Sequence, residues 1–548
     1  MNPFLPSVTP AASGRALSRQ FRLARLGAFA GLAAAFLLPA SAFAAFGLTS
    51  SGGFYTVDSG AGLVFMVNQS TGDISSIKFN GGPEMQDQAK GSHISSGLGT
   101  GTTVTGTNTS GVIKIVLSHS PVTHYLLVKS GLNNIYMATF VTAEPAVGEL
   151  RWITRIISTT LPNAPVPSDN RGNTGAIESS DVFGMSDGTT RSKYYGNQQA
   201  KDLTVRGATG SGVGIFMADP NRESSSGGPF ARDIQNQTGG DTEIYNYMNS
   251  GHEQTEAWRV NVLHGPYALC FTTGATPAVP DMSWMSAQGL TGWVSGRGTV
   301  HGTASGIDSG STGYVGFANT TAQYWAPVSG GAYTCSNMKP GTYTATLYQG
   351  ELGVATSSAT VTSGGNATLN LTSALSHPTT LWKIGTWDGS PKEFLNGNNI
   401  SQMHPQDVRN ASWGPVTYTV GSSSIGSFPA IQFRGVNSPT TIKFTLTSAQ
   451  VAAHTLRIGI TCAYNGGRPS VTVNGNATTN PGASSQPSSR SFTVGTYRGN
   501  NTTFTYSIPA GDFVVGTNTL AITPISGSSD LGPWLSAGWA YDCVELDN

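Results

Sequence analysis

The sequence predicts an all-β protein built from several domains. Glycine accounts for 70 of the 548 residues and charged residues for 11%, whereas average proteins contain about 7% glycine and about 25% charged residues. Short β-branched runs separated by Gly, Asn and Ser recur throughout, and no segment keeps a 3.6-residue apolar period over three turns. A chain of 548 residues exceeds one ordinary domain, so we expect roughly two to four units.

The first 44 residues predict a signal peptide. This segment contains four arginines and no acidic residue, followed by an apolar run from Leu26 to Leu38 and the small-residue site Ala42-Phe43-Ala44. We therefore expect cleavage before Ala45 and a secreted, extracellular protein. A signal anchor is the minor alternative, because the apolar run is shorter than the about 20 residues that a membrane span needs.

Charge and cysteine content limit the partners. Without the four N-terminal arginines the mature chain is slightly acidic, so its overall charge does not attract nucleic acid or an anionic polymer. Local arginines and lysines would have to bind a polyanionic substrate. The sequence contains four cysteines, Cys270, Cys335, Cys462 and Cys543, and their spacing fits no metal-binding motif. We expect them to form disulfides after export, and three different pairings are possible.

The first unit, residues 45–288, is predicted to be a large antiparallel β domain. It opens with a hairpin in which the runs Leu63 to Asn68 and Asp73 to Phe79 flank the turn Ser70-Thr71-Gly72. Further β-branched and aromatic runs continue the pattern at residues 112–117, 125–128 and 134–142.

The second and third units are predicted to be smaller β-sandwiches. In residues 289–375 a Pro340-Gly341 turn precedes the strand Tyr343 to Gln349, and strands at this spacing over about 85 residues predict an immunoglobulin-like or fibronectin-like sandwich. Residues 376–548 contain candidate strands at 441–447, 455–461 and 519–524. We interpret this third unit as a jelly roll of the carbohydrate-binding type.

Residues 149–155 form a candidate strand with two different faces. An extended backbone places Leu150 and Trp152 on one face and Arg151 and Arg155 on the other. Two guanidinium groups on one face could bind a uronate carboxylate through paired hydrogen bonds. The plain alternative is a solvated arginine face.

A second cationic stretch surrounds Lys193. An extended backbone would place Arg191, Lys193 and Tyr195 on one face. A nearby arginine and burial would both disfavour the charged form of Lys193, so this lysine could act as a general base. The alternative is an ordinary surface lysine.

A third candidate stretch ends a strand in a glycine turn. Tyr245 and Tyr247 share one face and His252 follows just beyond the strand. Paired tyrosines can form a sugar-stacking platform, and the histidine could act as an acid or base. The alternative is a pair of core tyrosines and a hydrogen-bonded loop histidine.

Several catalytic signatures are missing from the sequence. There is no Gly-x-Ser-x-Gly elbow, no His-Glu-x-x-His motif, no phosphate-binding glycine loop and no calcium-loop spacing of acids. Carboxylate pairs such as Glu178 and Asp181 do occur, so the composition does not exclude a glycoside hydrolase.

Long motifs across the mature chain resemble one enzyme family. They lie at residues 45–48, 91–94, 142–145, 148–151, 191–193, 224–230, 247–252, 385–389, 412–415 and 543–546. Read together, they resemble the fungal-type rhamnogalacturonan lyases of polysaccharide lyase family 4. The first hairpin contains no cysteine, which departs from the pattern expected of fungal members.

The resemblance implies a catalytic β super-sandwich of the galactose mutarotase type, a fibronectin type III-like module and a carbohydrate-binding-like jelly roll. It implies cleavage of the α-1,4 bond between rhamnose and galacturonate in rhamnogalacturonan I by β-elimination, which leaves a 4,5-unsaturated galacturonate. Lys193 corresponds to the proposed base of the family and His252 to its proposed acid. The resemblance implies a substrate-binding role for Arg151, Tyr245 and Tyr247, and we expect Arg191 beside them.

These residues lead to a set of expectations about partners. The partner is rhamnogalacturonan I, with no nucleic acid and no membrane after signal cleavage, and the protein is expected to be a monomer. Catalysis is expected to need no cofactor. A structural calcium ion is compatible with this expectation. The competing hypotheses are a non-catalytic cell-wall binding protein on the same three modules and a glycoside hydrolase, whose products would lack the double bond.

Overall fold

The computed structural model describes residues 45–548 except 147, 165–168, 195–203, 221–222, 224–228, 231–233, 235, 251–256 and 484–500. The described chain is almost entirely β, which confirms the predicted fold class. Helix in these residues is confined to short 3-10 turns, at Ser283–Gln288, Ile400–Gln402, Val408–Ser412, Ile425–Ser427, Ser448–Gln450, Ala510–Asp512 and Pro533–Leu535. Within the described ranges we find no helix of the length and apolarity that a membrane span requires. The predicted signal peptide lies outside them.

The first unit contains eighteen strands among its described residues. They are β1 (Gly47–Ser51), β2 (Phe54–Asp58), β3 (Leu63–Asn68), β4 (Ile74–Phe79), β5 (His93–Ile94), β6 (Thr103–Thr109), β7 (Val112–His119), β8 (Val122–Lys129), β9 (Asn134–Val141), β10 (Glu149–Ile157), β11 (Asn173–Glu178), β12 (Val182–Met185), β13 (Thr190–Ser192), β14 (Val205–Gly210), β15 (Val213–Ala218), β16 (Asn236–Thr238), β17 (Asp241–Ser250) and β18 (Val262–Thr272). The predicted first hairpin is confirmed as β3 and β4, whose turn holds Gly72 at φ 80°.

Two antiparallel sheets form the main sandwich of the first unit. A seven-stranded sheet in the order β14-β15-β18-β9-β8-β7-β6 packs against a four-stranded sheet in the order β16-β17-β10-β5. Their facing side chains form one apolar core, to which Met137 and Ile215 contribute from the larger sheet and Trp152 and Ile244 from the smaller. The sheet β1-β2-β3-β4 closes the same core.

The other face of the four-stranded sheet carries a small separate cluster. Its apolar residues are Ile153, Val182, Tyr194, Ile234, Tyr245 and Tyr247. A three-stranded sheet in the order β11-β12-β13 contributes Val182 to this cluster, and Tyr194 follows just after β13. This outer face is where the candidate site lies.

The second unit is a two-sheet sandwich, as predicted. Its described strands are β19 (Gly298–Ser305), β20 (Gly313–Ala318), β21 (Gln323–Pro327), β22 (Ala332–Met338), β23 (Gly341–Gln349), β24 (Leu352–Val361), β25 (Asn366–Thr368) and β26 (Leu371–Thr372). One sheet has the order β22-β19-β25, with β26 also on β19, and the other has the order β21-β20-β23-β24. Val300 and Tyr343 meet in the core between them.

The third unit is also a two-sheet sandwich. Its described strands are β27 (Thr380–Gly385), β28 (Val416–Thr419), β29 (Ile431–Phe433), β30 (Thr440–Leu446), β31 (His454–Tyr464), β32 (Arg468–Val473), β33 (Asn476–Ala477), β34 (Thr502–Ile508), β35 (Gly516–Ile525) and β36 (Gly538–Asp547). The sheet β27-β36-β31-β34, with β29 on β36, faces the sheet β28-β30-β35-β32-β33. Trp382, Ile442 and Trp539 pack in its core.

The disulfide prediction was wrong. Cys270, Cys335, Cys462 and Cys543 are all buried thiols. Cys462 and Cys543 lie on the paired strands β31 and β36, but Cys543 faces Gly459 and Cys462 faces Ala540. Three residues along a strand separate Cα atoms by about 10 Å, beyond the about 7 Å that a disulfide tolerates. Burial also raises the pKa of Cys270 to about 12, which disfavours the reactive thiolate.

Candidate active site

Strands β10 and β17 bring the predicted arginine and tyrosines together. Their antiparallel register sets Arg151 opposite Tyr247, Ile153 opposite Tyr245 and Arg155 opposite Glu243. Because side chains alternate along a strand, these residues share the outer face while Trp152 points into the core. The predicted alternation over residues 149–155 is confirmed.

Arg151 and the two tyrosines form a compact cluster. The rings of Tyr245 and Tyr247 stack with centroids 5.6 Å apart and planes 19° apart. The Arg151 guanidinium carbon lies 5.9 Å from the Tyr245 ring centroid and 5.4 Å from that of Tyr247. Arg151 also donates a hydrogen bond to the Tyr247 hydroxyl, and its Nη1 lies 2.6 Å from Glu149 Oε2.

These contacts keep Arg151 charged. Burial alone would lower the pKa of Arg151, but its interactions with Tyr247, Glu149 and Tyr245 outweigh burial and raise the pKa above its ordinary value. A guanidinium held on stacked phenol rings is a fixed cation beside an aromatic surface. This arrangement suits a sugar that carries a carboxylate.

A buried carboxylate, Glu243, connects the site residues below the tyrosines. It accepts hydrogen bonds from Arg155 Nε at 2.9 Å and from the Tyr245 hydroxyl at 2.5 Å. Burial alone would raise the pKa of Glu243, but Arg155, the Tyr245 hydroxyl and the Lys193 charge together lower it. Glu243 is therefore an anion that faces both Arg155 and Lys193.

Lys193 lies just after β13 and is half-buried. Its Nζ is 5.7 Å from the centre of the Phe183 ring. Burial lowers the pKa of Lys193, and the charges of Arg151 and Lys90 act in the same direction, whereas Glu243 and Asp181 oppose them. A lowered pKa increases the neutral fraction that a general base requires.

The structure corrects the origin of this shift. We expected Arg191 to disfavour the charged form of Lys193, but the arginine whose charge acts on Lys193 is Arg151. Arg191 pairs with Phe183 across β12 and β13. Its charge helps to lower the pKa of Asp187, after the hydrogen bonds from Thr189.

The described contacts of the Arg151 cluster therefore leave Arg191 out, although the sequence placed it there. Two other predicted positions, Tyr195 and His252, lie outside the described residues. The strand that leads toward His252, β17, ends at Ser250.

Sequence reasoning missed two acidic residues of the site, Glu149 and Glu243. A signal was present, because Glu149 lies two residues before Arg151 and Glu243 two residues before Tyr245. A period of two in a strand keeps such residues on one face. Extending both predicted faces by one step would have found them.

Comparison with known proteins places the whole chain in one family. Residues 46–292 match the family model described as "Rhamnogalacturonan lyase B, N-terminal". Residues 296–369 and 380–546 match "Polysaccharide lyase family 4, domain II" and "Polysaccharide lyase family 4, domain III". The chain belongs to polysaccharide lyase family 4. The family identified from the sequence motifs is thus confirmed.

Similar proteins of this family span nearly the same length. "Probable rhamnogalacturonate lyase A" of Aspergillus terreus is 48% identical, over 89% of this chain and 93% of its own. "Rhamnogalacturonate lyase A" of Aspergillus aculeatus is 46% identical, over 92% of this chain and 97% of its own. The solved structure of a Paenibacillus xanthan lyase aligns with 92% of this chain and 52% of its own at 10% identity. Its TM-score of 0.23 is too low to support a structural conclusion.

The described residues contain no group of three His, Cys, Asp or Glu side chains placed to hold a metal ion. The charged groups brought together at this candidate site are two guanidinium groups, two carboxylates and an amine. Such a set can neutralise an anionic substrate and move a proton.

Proposed function

We propose that this protein is a rhamnogalacturonan lyase. It cleaves the α-1,4 bond between rhamnose and galacturonate in the rhamnogalacturonan I backbone of pectin by β-elimination. The observation that carries the proposal is the fixed cation Arg151 on a stacked tyrosine pair, within electrostatic reach of a lysine whose pKa is lowered. The names of its relatives, which match over most of both chains, support the same substrate.

Arg151 stabilises the charge that develops during the reaction. Removing the proton from C5 of galacturonate moves negative charge onto its carboxylate. A guanidinium already in place interacts more strongly with this enolate-like state than with the substrate, so it lowers the barrier. Tyr245 and Tyr247 are buried, so their stacked rings act by fixing the guanidinium in place and not by stacking on the sugar.

Lys193 takes the C5 proton onto its Nζ. The electrons of the C5–H bond form the C4–C5 double bond while the C4–O4 bond breaks and O4 leaves with the rhamnose side. His252 gives a proton to O4, which balances the proton taken by Lys193. The galacturonate left behind is the 4,5-unsaturated, new non-reducing end.

The remaining expectations are parts of the same proposal. The protein is secreted after removal of residues 1–44, acts as a monomer outside the cell and binds no nucleic acid or membrane. Catalysis by Lys193, His252 and Arg151 uses no cofactor, and a structural calcium ion elsewhere stays compatible with it. Arg191 binds substrate from a position outside the Arg151 cluster.

Glu178 and Asp181, the carboxylate pair noted in the sequence, each contact another residue of the protein. Glu178 Oε2 lies 3.2 Å from His404 Nε2, and Asp181 Oδ2 accepts a hydrogen bond from the Tyr194 hydroxyl at 3.3 Å. Paired hydrolytic carboxylates flank a scissile bond with one acid and one base or nucleophile. Here each carboxylate has a partner within the protein.

The test digests purified rhamnogalacturonan I and follows ultraviolet absorbance of the unsaturated uronate. Lys193→Arg keeps the charge but cannot lose a proton, so turnover should fall by at least about 10²-fold while substrate binding persists. Wild-type turnover should rise with pH as Lys193 loses its proton, on a limb that the Arg variant lacks.

Lys193→Met serves as a neutral control of similar length. If Lys193→Arg keeps most of its turnover and the same rising limb, another residue is the base. Reducing ends without absorbance would indicate a hydrolase. Binding without either product would indicate a cell-wall binding protein.

A further inference from the structure

The strands that carry Lys193 form the smallest sheet of the first unit. β11, β12 and β13 pair with one another, separately from the two large sheets. Most of β11 is exposed. Lys193 follows directly on β13, and its backbone N–H donates to the Asp181 carbonyl at 3.0 Å. The position of the Lys193 amine therefore depends on how firmly this three-stranded sheet is held.

Residues of the third unit cover the outer edge of β13. The backbone N–H of Thr190 donates to Asp407 Oδ2 at 2.7 Å, and that of Ser192 donates to Gln402 Oε1 at 2.7 Å. An edge strand normally leaves such N–H groups to solvent. Here these N–H groups bond to two side chains that lie more than 200 positions later in the sequence, where a neighbouring strand would otherwise supply the acceptors.

The Thr190 hydroxyl adds three further contacts to this edge, one of them with Asp407 Oδ2 at 3.0 Å. It donates to the Gln402 carbonyl at 2.5 Å and accepts from the His404 backbone N–H at 2.9 Å. Thr190 is buried. Its side chain therefore has bonding partners that solvent does not replace.

Two more features show that this contact is closely fitted. Asp407 is held by Arg409, which donates to Oδ1 at 2.8 Å and to Oδ2 at 2.6 Å. The Val408 backbone N–H donates to the Gly188 carbonyl at 3.1 Å. A Cβ on Gly188, whose φ is 80°, would lie 2.4 Å from Val408 Cγ1, so the turn between β12 and β13 needs glycine for both space and conformation.

We propose that Gln402 and Asp407 are positioning residues for Lys193, so that the third unit completes the active site instead of serving only to bind polymer. This inference rests on the proposed function, in which Lys193 is the base. Neither side chain is expected to touch substrate. Both act by fixing β13, whose last residue, Ser192, precedes the lysine.

The main test compares Thr190→Val with Thr190→Ser in the full-length protein on soluble rhamnogalacturonan oligosaccharides. Valine removes the hydroxyl at nearly constant volume, whereas serine keeps it. We expect Thr190→Val to lower kcat by about 10- to 10²-fold with KM little changed, because displacing a reacting group affects the chemical step. Thr190→Ser should recover most of the loss.

A pH profile separates positioning from general loosening. Glu243, Asp181, Arg151 and Lys90 are the charged groups that act on Lys193. A displaced lysine would be more hydrated, so its pKa should return toward the ordinary value and the rising limb should move to higher pH. A purely structural contact would leave this limb in place.

Two more variants keep the inference testable if Thr190→Val fails to fold. Gln402→Met removes the acceptor for Ser192 and should lower kcat, whereas Gln402→Glu keeps the acceptor and should retain more activity. Asp530→Asn is the matched control, because it breaks an Asp530–Arg434 ion pair of the third unit that is partly exposed. It should leave kcat and the pH profile unchanged.

The outcomes distinguish the two proposals. A wild-type protein that forms no unsaturated product overturns the proposed function. A wild-type lyase whose folded Thr190→Val and Gln402→Met variants keep the wild-type kcat and rising limb overturns the positioning inference alone. A loss confined to KM would also contradict it, since the third unit would then act in binding.

Discussion

The two faces of the β10–β17 strand pair differ although adjacent residues of the same strands build them. On the inner face, Leu150, Trp152 and Ile244 are fully buried in the core of the first unit. On the outer face, Arg151 and Glu243 are ionised groups within a network of tyrosines and counter-charges. Because side chains alternate along a strand, apolar core residues and ionised residues occupy adjacent positions in the sequence.

Burial disfavours the charged form of a side chain on both faces, but the outcome differs because only the outer face supplies charged partners. His124 stacks on Trp152 with ring centroids 5.1 Å apart, and burial lowers the pKa of His124 to about 3. Glu243 is also buried, yet Arg155, Tyr245 and Lys193 lower its pKa and keep it charged. A buried group stays ionised only where partners replace the lost hydration. The ionised groups therefore lie on the outer face.

The largest expected effect is on the inner face. Trp152→Ala removes a fully buried side chain and should cost about 3–5 kcal/mol of unfolding free energy. Turnover of the molecules that remain folded should change much less, because Trp152 points away from the substrate face. Urea denaturation together with active-site titration measures both. A loss of stability below about 1 kcal/mol would contradict the assignment of Trp152 to a tightly packed core.

A smaller effect should appear as acid sensitivity from His124. The pKa of about 3 in the folded protein lies below the ordinary histidine value of 6.5, so between these two pH values the unfolded chain binds a proton that the folded chain excludes. Stability is therefore lost as pH falls through this window. From pH 7 to pH 4, wild type should lose about 3 kcal/mol more than His124→Phe.

Denaturation curves at several pH values measure this difference. Thr139 also shares a hydrogen bond with the Tyr267 hydroxyl at 3.1 Å, so loss of the histidine should not leave Thr139 without a partner. Parallel pH dependences of wild type and His124→Phe would mean that His124 takes up its proton within the folded protein.

The sequence predicted the fold and both faces of β10 because these depend on local alternation. Arg151 and Trp152 could be assigned to opposite faces, and Tyr245 and Tyr247 to one face, from a period of two alone. Register between strands is not local. The pairing of Arg155 with Glu243 joins residues 88 positions apart, and no pattern within either strand specifies it.

Contacts between units were still less accessible to sequence reasoning. Thr190 and Asp407 are separated by 217 positions, and nothing in either segment indicates the other. The disulfide prediction was wrong for a related reason. It rested on the oxidising compartment that an exported protein enters, whereas the register of β31 and β36 keeps Cys462 and Cys543 apart. Arg191 was placed with Lys193 by alternation, but the sheet directs its charge toward Asp187.

The smallest expected effect tests the charge of the outer face directly. Glu243 opposes the lowering of the Lys193 pKa, so Glu243→Gln removes a negative charge that favours the protonated lysine. The Lys193 pKa should then fall further, and the rising limb of turnover should move to lower pH. Gln keeps one oxygen acceptor, for Arg155 Nε, and its amide NH2 can donate to the Tyr245 hydroxyl, so the tyrosine stack should persist. His124→Phe, on the inner face, should leave the limb where it is.

A Glu243→Gln limb that moved to higher pH would mean that displacement of Lys193 outweighs loss of the charge. An unmoved limb would mean that the titrating base is not coupled to Glu243, and the electrostatic distinction between the two faces would then no longer account for catalysis.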